Sequence, residues 1–383
     1  MNPLSRSNNY LPIYLILGLA ILYVSSVNAE LKLVNVIFRH GDRAPDNTAN
    51  ERYPNDPYLN DDFYPEGRGQ LTNQGKMREY KLGQFLRNRY IDFLGSVYVP
   101  DSVFAVSSDY DRTKMSLQLV LAGLFPPAKI QKWNKLLDWQ PVPTKYKRLL
   151  VDNMFLADEC PSFLAEYDRA LYSQEGLSRL SEFDDLMDKL TIWTGKNIST
   201  PWDMFYLYHT LMAEYSMNLK LPDWAYTVFP YGELWNGTVF AYEIASATPL
   251  LRKLDGGSYL RVVTETMTGF VKGALKDPRK MYLYGGHETN IAAVLAALDL
   301  YYPHVPEYSS SLVLELHEEE DGYYVKLLHY LGIPSIMNEL RLPNCDVMCP
   351  LEHFLEITAD VIPSDQDLIC DKTLTAEYAK YKS

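Results

Sequence analysis

The chain has 383 residues, 47% of them hydrophobic, enough for a large core in one domain with an insertion or in two or three domains. Its formal net charge is −13, which argues against nucleic acid and anionic lipid as principal partners, because an acidic surface repels both. Beyond the N-terminal segment no run of about 18 apolar residues occurs, so no membrane span is expected in the mature chain.

Residues 1–29 read as a secretory signal. Arg6 supplies a weak positive charge, 11–24 is mostly apolar, and Val27-Asn28-Ala29 places small residues at a cleavage site before Glu30. Removal of this segment implies a secreted, extracellular protein with no membrane anchor.

The mature chain opens with an apolar run, 30–38, that reads as a buried strand. It ends in Arg39-His40-Gly41-Asp42-Arg43-Ala44-Pro45. The stretch 46–70 is rich in Asn, Asp, Pro, Tyr and Gly and reads as a long loop. A helix is expected from Thr72 until Gly95 stops it. A second strand, 103–108, runs into the polar turn Asp109-Tyr110-Asp111-Arg112-Thr113. A second helix follows from about Met115 to Phe125, where Pro126-Pro127 ends it.

From 151 to 257 strand-like runs disappear, and segments 179–194 and 202–217 have helical spacing. After Gly256-Gly257 a helix over 259–275 leads to a third strand, 280–284, and the turn Gly285-Gly286-His287-Glu288. Thr289 is expected to cap the apolar helix 290–300. A hairpin is expected from 311–316 and 323–331 around Glu320-Asp321-Gly322, and a short helix over 350–362. The pattern predicts an α/β fold: a mixed central sheet flanked by helices, formed by 30–150 and 258–383, with a smaller, mainly helical cap insertion at 151–257.

Three strand ends carry matching chemistry, and loops past the carboxyl ends of neighbouring strands can converge. Arg39, Arg43, Arg112 and His287 suit the non-bridging oxygens of a phosphate, since guanidinium forks hold such oxygens bidentately. His40 suits in-line attack on phosphorus, and Glu288 suits proton donation to the leaving alcohol. Gly41 is read as leaving room for the phosphate and for a tight turn. Each residue has a simpler reading. Arg39 or Arg43 can pair with Asp42 or Asp46, Arg112 with Asp109 or Asp111, and Glu288 can complement a helix dipole. Their joint occurrence at three equivalent strand ends favours the phosphate site.

Four cysteines, Cys160, Cys345, Cys349 and Cys370, suit two disulfides in an oxidising compartment, with three possible pairings. The Cys345–Cys349 spacing permits a small local loop, which would leave Cys160–Cys370 as a long-range staple. The seven histidines show no HxH or HExxH spacing, and no metal or other cofactor is expected. Asn197 and Asn236 head glycosylation sequons and are expected at the surface.

The motifs Phe38-Arg39-His40-Gly41-Asp42-Arg43-Ala44-Pro45, Gly69-Gln70-Leu71-Thr72 and Ser107-Ser108-Asp109-Tyr110-Asp111-Arg112-Thr113 resemble the histidine acid phosphatases of the RHG-motif superfamily. The resemblance spans about residues 30–371. Segments 31–46, 76–87, 191–202 and 301–311 are similar to the honeybee-venom type within that family, which implies a secreted insect protein, venom component or allergen. The resemblance implies His40 as nucleophile, Arg39, Arg43, Arg112 and His287 as phosphate ligands, and the pairs Cys160–Cys370 and Cys345–Cys349. Glu288 stands where prostatic-type members carry an aspartate donor, so donor geometry differs by one methylene. A donor that starts protonated implies an acid optimum.

The substrates implied are phosphate monoesters of small molecules or phosphoproteins. Trp133 lies where prostatic-type dimers use a tryptophan, which points to a homodimer. Phosphoglycerate mutase chemistry fits poorly with a signal peptide. A phytase would call for further basic residues, whereas the stretch after the first loop carries Asp46, Glu51, Asp56, Asp61, Asp62 and Glu66. A secreted binding protein that keeps the fold without turnover is the rival from another class.

Overall fold

The computed structural model describes residues 29–374. The expected signal therefore lies, but for Ala29, outside the described residues. The centre is one mixed sheet. Its parallel part is β3 (Lys145–Tyr146), β2 (Val103–Ser107), β4 (Met281–Gly286) and β1 (Glu30–Arg39), in that spatial order. It continues antiparallel through β5 (Ser311–Glu319), β6 (Gly322–Tyr330) and β7 (Met337–Leu340), and the short β8 (Cys349–Pro350) also pairs with β6. The expected hairpin is β5–β6. The two-residue β3 and β8 and the four-residue β7 are too short to carry a periodic signal, and the sequence did not reveal them.

β1 is buried on both sides, as a parallel strand between two helical layers must be. Alternate side chains divide between two cores. Leu33 and Ile37 face one layer, with α9 (Gly256–Val271), α10 (Glu288–Ala297) and α11 (Leu351–Thr358) supplying Leu260, Val263, Ile291, Leu295 and Phe354. Val34, Val36 and Phe38 face the other, where α1 (Asn73–Leu94) and α2 (Asp111–Leu124) supply Leu82, Leu86, Leu117 and Val120. Thr72 caps α1 by accepting from the Gly75 amide at 3.1 Å, and Gly95, at φ 83°, ends it as expected.

Between β3 and α9 lie α3 (Pro161–Leu171), α4 (Gln174–Ser181), α5 (Asp184–Thr194), α6 (Pro201–Ser216), α7 (Glu233–Ala245) and α8 (Pro249–Leu254). The single helix expected over 179–194 is two, broken at Glu182-Phe183. α6 begins with Pro201 at its first position and a reciprocal cap between Thr200 and Asp203, which fixes its start firmly. Leu190, Met204, Leu207, Leu211 and Leu234 give these helices their own core.

Both disulfides form in the expected pairing. Cys160–Cys370 joins the start of α3 to the C-terminal segment across 210 residues, and Cys345–Cys349 closes a short loop before α11. A bridge across so long a loop constrains the unfolded chain strongly. Replacing Cys160 and Cys370 together by serine is expected to lower unfolding free energy by about 2–5 kcal/mol, read by urea denaturation. A loss no larger than that of the Cys345/Cys349 double variant would contradict this.

Candidate active site

The parallel strands β2, β4 and β1 end side by side. Arg39 pairs in register with Gly286, and Ser107 with Gly285. The chain leaves β1 at His40, whose amide donates to the Gly286 carbonyl at 3.0 Å, while the Ser108 amide donates to the Gly285 carbonyl at 3.1 Å. The loop after His40 then docks on two helix starts. The Gly41 amide donates to Ser116 Oγ of α2 at 3.2 Å, and the Thr72 amide donates to the Asp42 carbonyl at 2.9 Å.

Gly41 is needed for this docking. A Cβ there would lie 2.6 Å from the Gly75 carbonyl oxygen in α1, and one on Gly75 would lie 2.1 Å from the Asp42 carbonyl oxygen. Its smallness lets loop and helix touch, a reason for glycine separate from the expected one. Asp42 is occupied by Arg78 at 2.6 Å and Gln74 at 3.0 Å, so it leaves Arg39 and Arg43 to other partners.

α10 starts two residues earlier than expected. His287 is its N-cap and Glu288 its first helical residue, in place of a cap at Thr289. The cause is Asn290, whose Oδ1 accepts from the His287 amide at 2.9 Å while its Nδ2 donates to the Phe155 carbonyl at 2.9 Å. α2 likewise begins at Asp111, which places Arg112 in its first turn.

Arg39, His40, Arg43, His287 and Glu288 are all buried, and Arg112 nearly so. Arg39 Nε lies 2.9 Å from Glu288 Oε2, an ion contact whose N–H is not aligned for a hydrogen bond. The Arg39 guanidinium also donates to the Pro306 carbonyl at 2.6 Å and stacks 4.1 Å over the Tyr308 ring. His40 Nδ1 lies 2.9 Å from the Gly41 carbonyl. A carbonyl only accepts, so Nδ1 carries the proton and Nε2 keeps a lone pair. That Nε2 lies 3.9 Å from Glu288 Oε2. The His40 and His287 rings meet edge to face at 5.6 Å, and His287 Nε2 is held by Ser108 Oγ at 2.9 Å.

Arg43 makes a forked contact with Glu51, at 2.9 and 2.6 Å, and Arg112 binds Asp46 at 3.0 Å while lying 4.3 Å over Tyr110. Arg112 thus pairs with neither Asp109 nor Asp111 among the acids weighed from sequence. The buried Nε atoms of Arg39, Arg43 and Arg112 have no hydrogen-bond partner, nor has Glu288 Oε2. Three guanidinium groups with buried donors outside the hydrogen-bond network are chemistry that suits an anion.

The electrostatics bear this out. Burial, then Arg112 and Arg39, hold His40 well below its ordinary value, so the ring is neutral and nucleophilic. Burial, then Arg112, holds His287 down at about 3. Burial is the strongest single influence and opposes ionisation of Glu288, but the positive groups around it, Arg39 first, together outweigh it, and the carboxyl is held well below the usual range. Glu288 is therefore a carboxylate in the unliganded site, contrary to the expectation that it starts protonated. The arrangement can bind a phosphoryl group, attack it with an imidazole and exchange a proton with Glu288.

Sequence reasoning did not find four contributors. Glu51 was counted only as charge in the acidic stretch, and Asp46 was weighed as a partner of Arg39 or Arg43, not of Arg112. His209, in the middle of α6, sits 3.5 Å from an Arg39 nitrogen and 3.6 Å from Glu288 Oε1. Tyr308 backs both Arg39 and His40. A lone histidine or tyrosine in an apolar segment carries no spacing signal that could have flagged it. Among the described residues no group of three or more His, Cys, Asp or Glu side chains is placed to hold a metal ion.

Comparison with known proteins gives one consistent result. Residues 30–330 match the model of the histidine phosphatase superfamily (branch 2). The venom acid phosphatase of Apis mellifera is 59% identical over 356 residues, covering 93% of this chain and 92% of that protein. The prostatic acid phosphatase of Rattus norvegicus is 33% identical, covering 89% of each. Among solved structures, the phytase of Klebsiella sp. ASR1 superposes with a TM-score of 0.65 at 18% identity, covering 89% of this chain and 98% of that one, a likeness of fold.

Proposed function

The chain belongs to the histidine phosphatase superfamily (branch 2) and is an acid phosphatase, and from that premise we propose that it hydrolyses phosphate monoesters through a phosphohistidine on His40. The observation that carries this is the fixed tautomer of His40: Nδ1–H is tied to the Gly41 carbonyl, and Nε2, which keeps its lone pair, lies 3.9 Å from Oε2 of the proposed proton donor Glu288. Arg39, Arg43, Arg112 and His287 bind the phosphoryl oxygens and stabilise the charge that builds up on them.

The substrate monoanion passes its proton to the Glu288 carboxylate on binding. His40 Nε2 then forms a bond to phosphorus as the P–O ester bond breaks. Its electron pair goes to the leaving oxygen, which takes the proton from Glu288. Water next attacks the phosphorus, gives a proton to Glu288, and the P–N pair returns to His40.

This scheme assigns the acid optimum to the substrate. A phosphate ester loses its second proton near pH 6, whereas His40 and Glu288 are held below their ordinary values and keep one form above mildly acid pH. We expect kcat/KM to fall about tenfold per pH unit above the ester's second pKa. The limb should move when esters of different second pKa are compared. A flat profile from about pH 4 to 8, or a limb fixed whatever the ester, would contradict the scheme. Purified protein that turns over neither an aryl nor an alkyl phosphate at acid pH would contradict the phosphatase reading itself.

Carboxylates flank the phosphate ligands, Glu51 on Arg43 and Asp46 on Arg112, which disfavours densely phosphorylated inositols as substrates. Secretion is supported by the two disulfides and by Asn197 and Asn236, both exposed. No helix among the described residues is long and apolar enough to cross a membrane. A homodimer is supported by the exposed apolar side chains of Ile130, Trp133 and Leu136, which are 86%, 60% and 98% exposed. Sedimentation should show a dimer that Trp133→Glu converts to monomer. A wild type that stays monomeric at about 50 μM, within the μM range of ordinary association, would contradict it.

A further inference from the structure

Glu288 is gripped from two sides. Its Oε2 faces Arg39 Nε at 2.9 Å and His40 Nε2 at 3.9 Å, on the side where phosphorus must enter. Its Oε1 faces His209 Nε2 at 3.6 Å. His209 comes from α6, on the helical side of the molecule, and is buried. Phe205 and Tyr208 pack edge-on against its ring at 4.4 and 5.5 Å, so the ring has little freedom to turn.

The tautomer of His209 follows from its neighbours. Nδ1 lies 3.5 Å from an Arg39 nitrogen, which can only donate, so Nδ1 must accept. Burial, outweighing Glu288, holds the ring down at about 3, so it is neutral and its one proton sits on Nε2. That nitrogen is within hydrogen-bond distance of Tyr242 Oη, at 3.3 Å, and has Glu288 Oε1 just beyond it, at 3.6 Å. These distances lie at the long end, as catalytic hydrogen bonds in empty sites often do before substrate tightens them.

We propose that His209 is a positioning residue for the proton donor: its Nε2–H holds Oε1 of Glu288, leaving Oε2 as the oxygen that takes the substrate's proton and hands it to the leaving group. This rests on the reading of Glu288 as the donor. Oε2 of Glu288 and Nε of Arg39 are buried and lack aligned hydrogen bonds, and they face each other as an ion pair at 2.9 Å, so the two ends of the carboxylate have separate partners, Arg39 at Oε2 and His209 at Oε1. The longer glutamate side chain needs this second grip, because its extra torsion would otherwise let either oxygen face the substrate.

The test compares two esters in the same preparation, so that any fraction of unfolded variant cancels. An aryl phosphate with a good leaving group needs little proton donation, whereas an alkyl phosphate needs it fully. His209→Phe keeps the ring packing and removes the N–H. It should lower kcat about 100-fold for the alkyl ester and about threefold for the aryl ester, with KM little changed. His209→Gln restores an N–H donor and should recover most of the alkyl rate. Equal loss on both esters, or no recovery with glutamine, would overturn the proposal and reduce His209 to packing. Wild-type protein inactive on both esters would instead overturn the reading of the site as a phosphatase.

Discussion

His40→Ala is expected to lower kcat on an aryl phosphate by at least about 10^4-fold at acid pH, with the fold intact. The side chain lies at the end of β1, 2% exposed, with Nδ1 committed to the Gly41 carbonyl. Removing it deletes the nucleophile and leaves in place Arg39, Arg112, His287 and Glu288, none of which depends on the imidazole for its recorded hydrogen bonds. Phosphate should therefore still bind, and inhibition by phosphate is the check that the pocket survives. Turnover within about tenfold of wild type would mean that water attacks directly and the imidazole is only a ligand.

Arg39→Ala should carry a double cost. Arg39 is the hub of the site: Glu288, His209, the Pro306 carbonyl and Tyr308 all touch it. Its loss removes a phosphate ligand, worth about 10^2–10^3 in rate. It also leaves a buried carboxylate without its main counter-charge, which costs about 3–5 kcal/mol when one member of a buried pair is deleted. The pH dependence has a definite sign. Glu288 has its carboxyl lowered in the folded protein, so the pair's stabilisation is present above the ordinary carboxylate value and is lost as pH falls through the lowered one. The destabilisation by Arg39→Ala should be largest near neutral pH and shrink on strong acidification, as measured by urea denaturation across pH. A destabilisation independent of pH would show that Arg39 contributes packing and not charge.

The main strands and the residues that converge on the candidate site were legible because each is written locally. An apolar run followed by Arg39-His40 and a strand followed by Gly285-Gly286-His287-Glu288 announce strand ends wherever they fall in space. The register of Arg39 with Gly286 then brings those ends together. What was not legible depends on distant partners. The cap of α10 moved from Thr289 to His287 because Asn290 found the Phe155 carbonyl, 135 positions away. The close approach that requires glycine at 41 comes from Gly75 in α1, a contact no local sequence feature announces. His209 carries no spacing signal in the sequence; it is buried among aromatics and also touches Arg39 and Glu288. The lowered carboxyl of Glu288 could not be read from residue type, because burial opposes it and the positive groups that overcome burial come from elsewhere in the chain, first among them a guanidinium 249 positions earlier, brought close by the pairing of β1 and β4.

The central claim is that phosphorus is bonded to His40 during turnover. It is tested most directly by mixing the protein rapidly with an aryl phosphate at acid pH, quenching in alkali, where phosphohistidine survives, and mapping the added phosphate by mass spectrometry. The account predicts one phosphoryl group on the peptide carrying His40, absent from His40→Ala and accumulating more when the leaving group is better. Active enzyme that carries no phosphate under these conditions, or carries it on His287 or another residue, would contradict it.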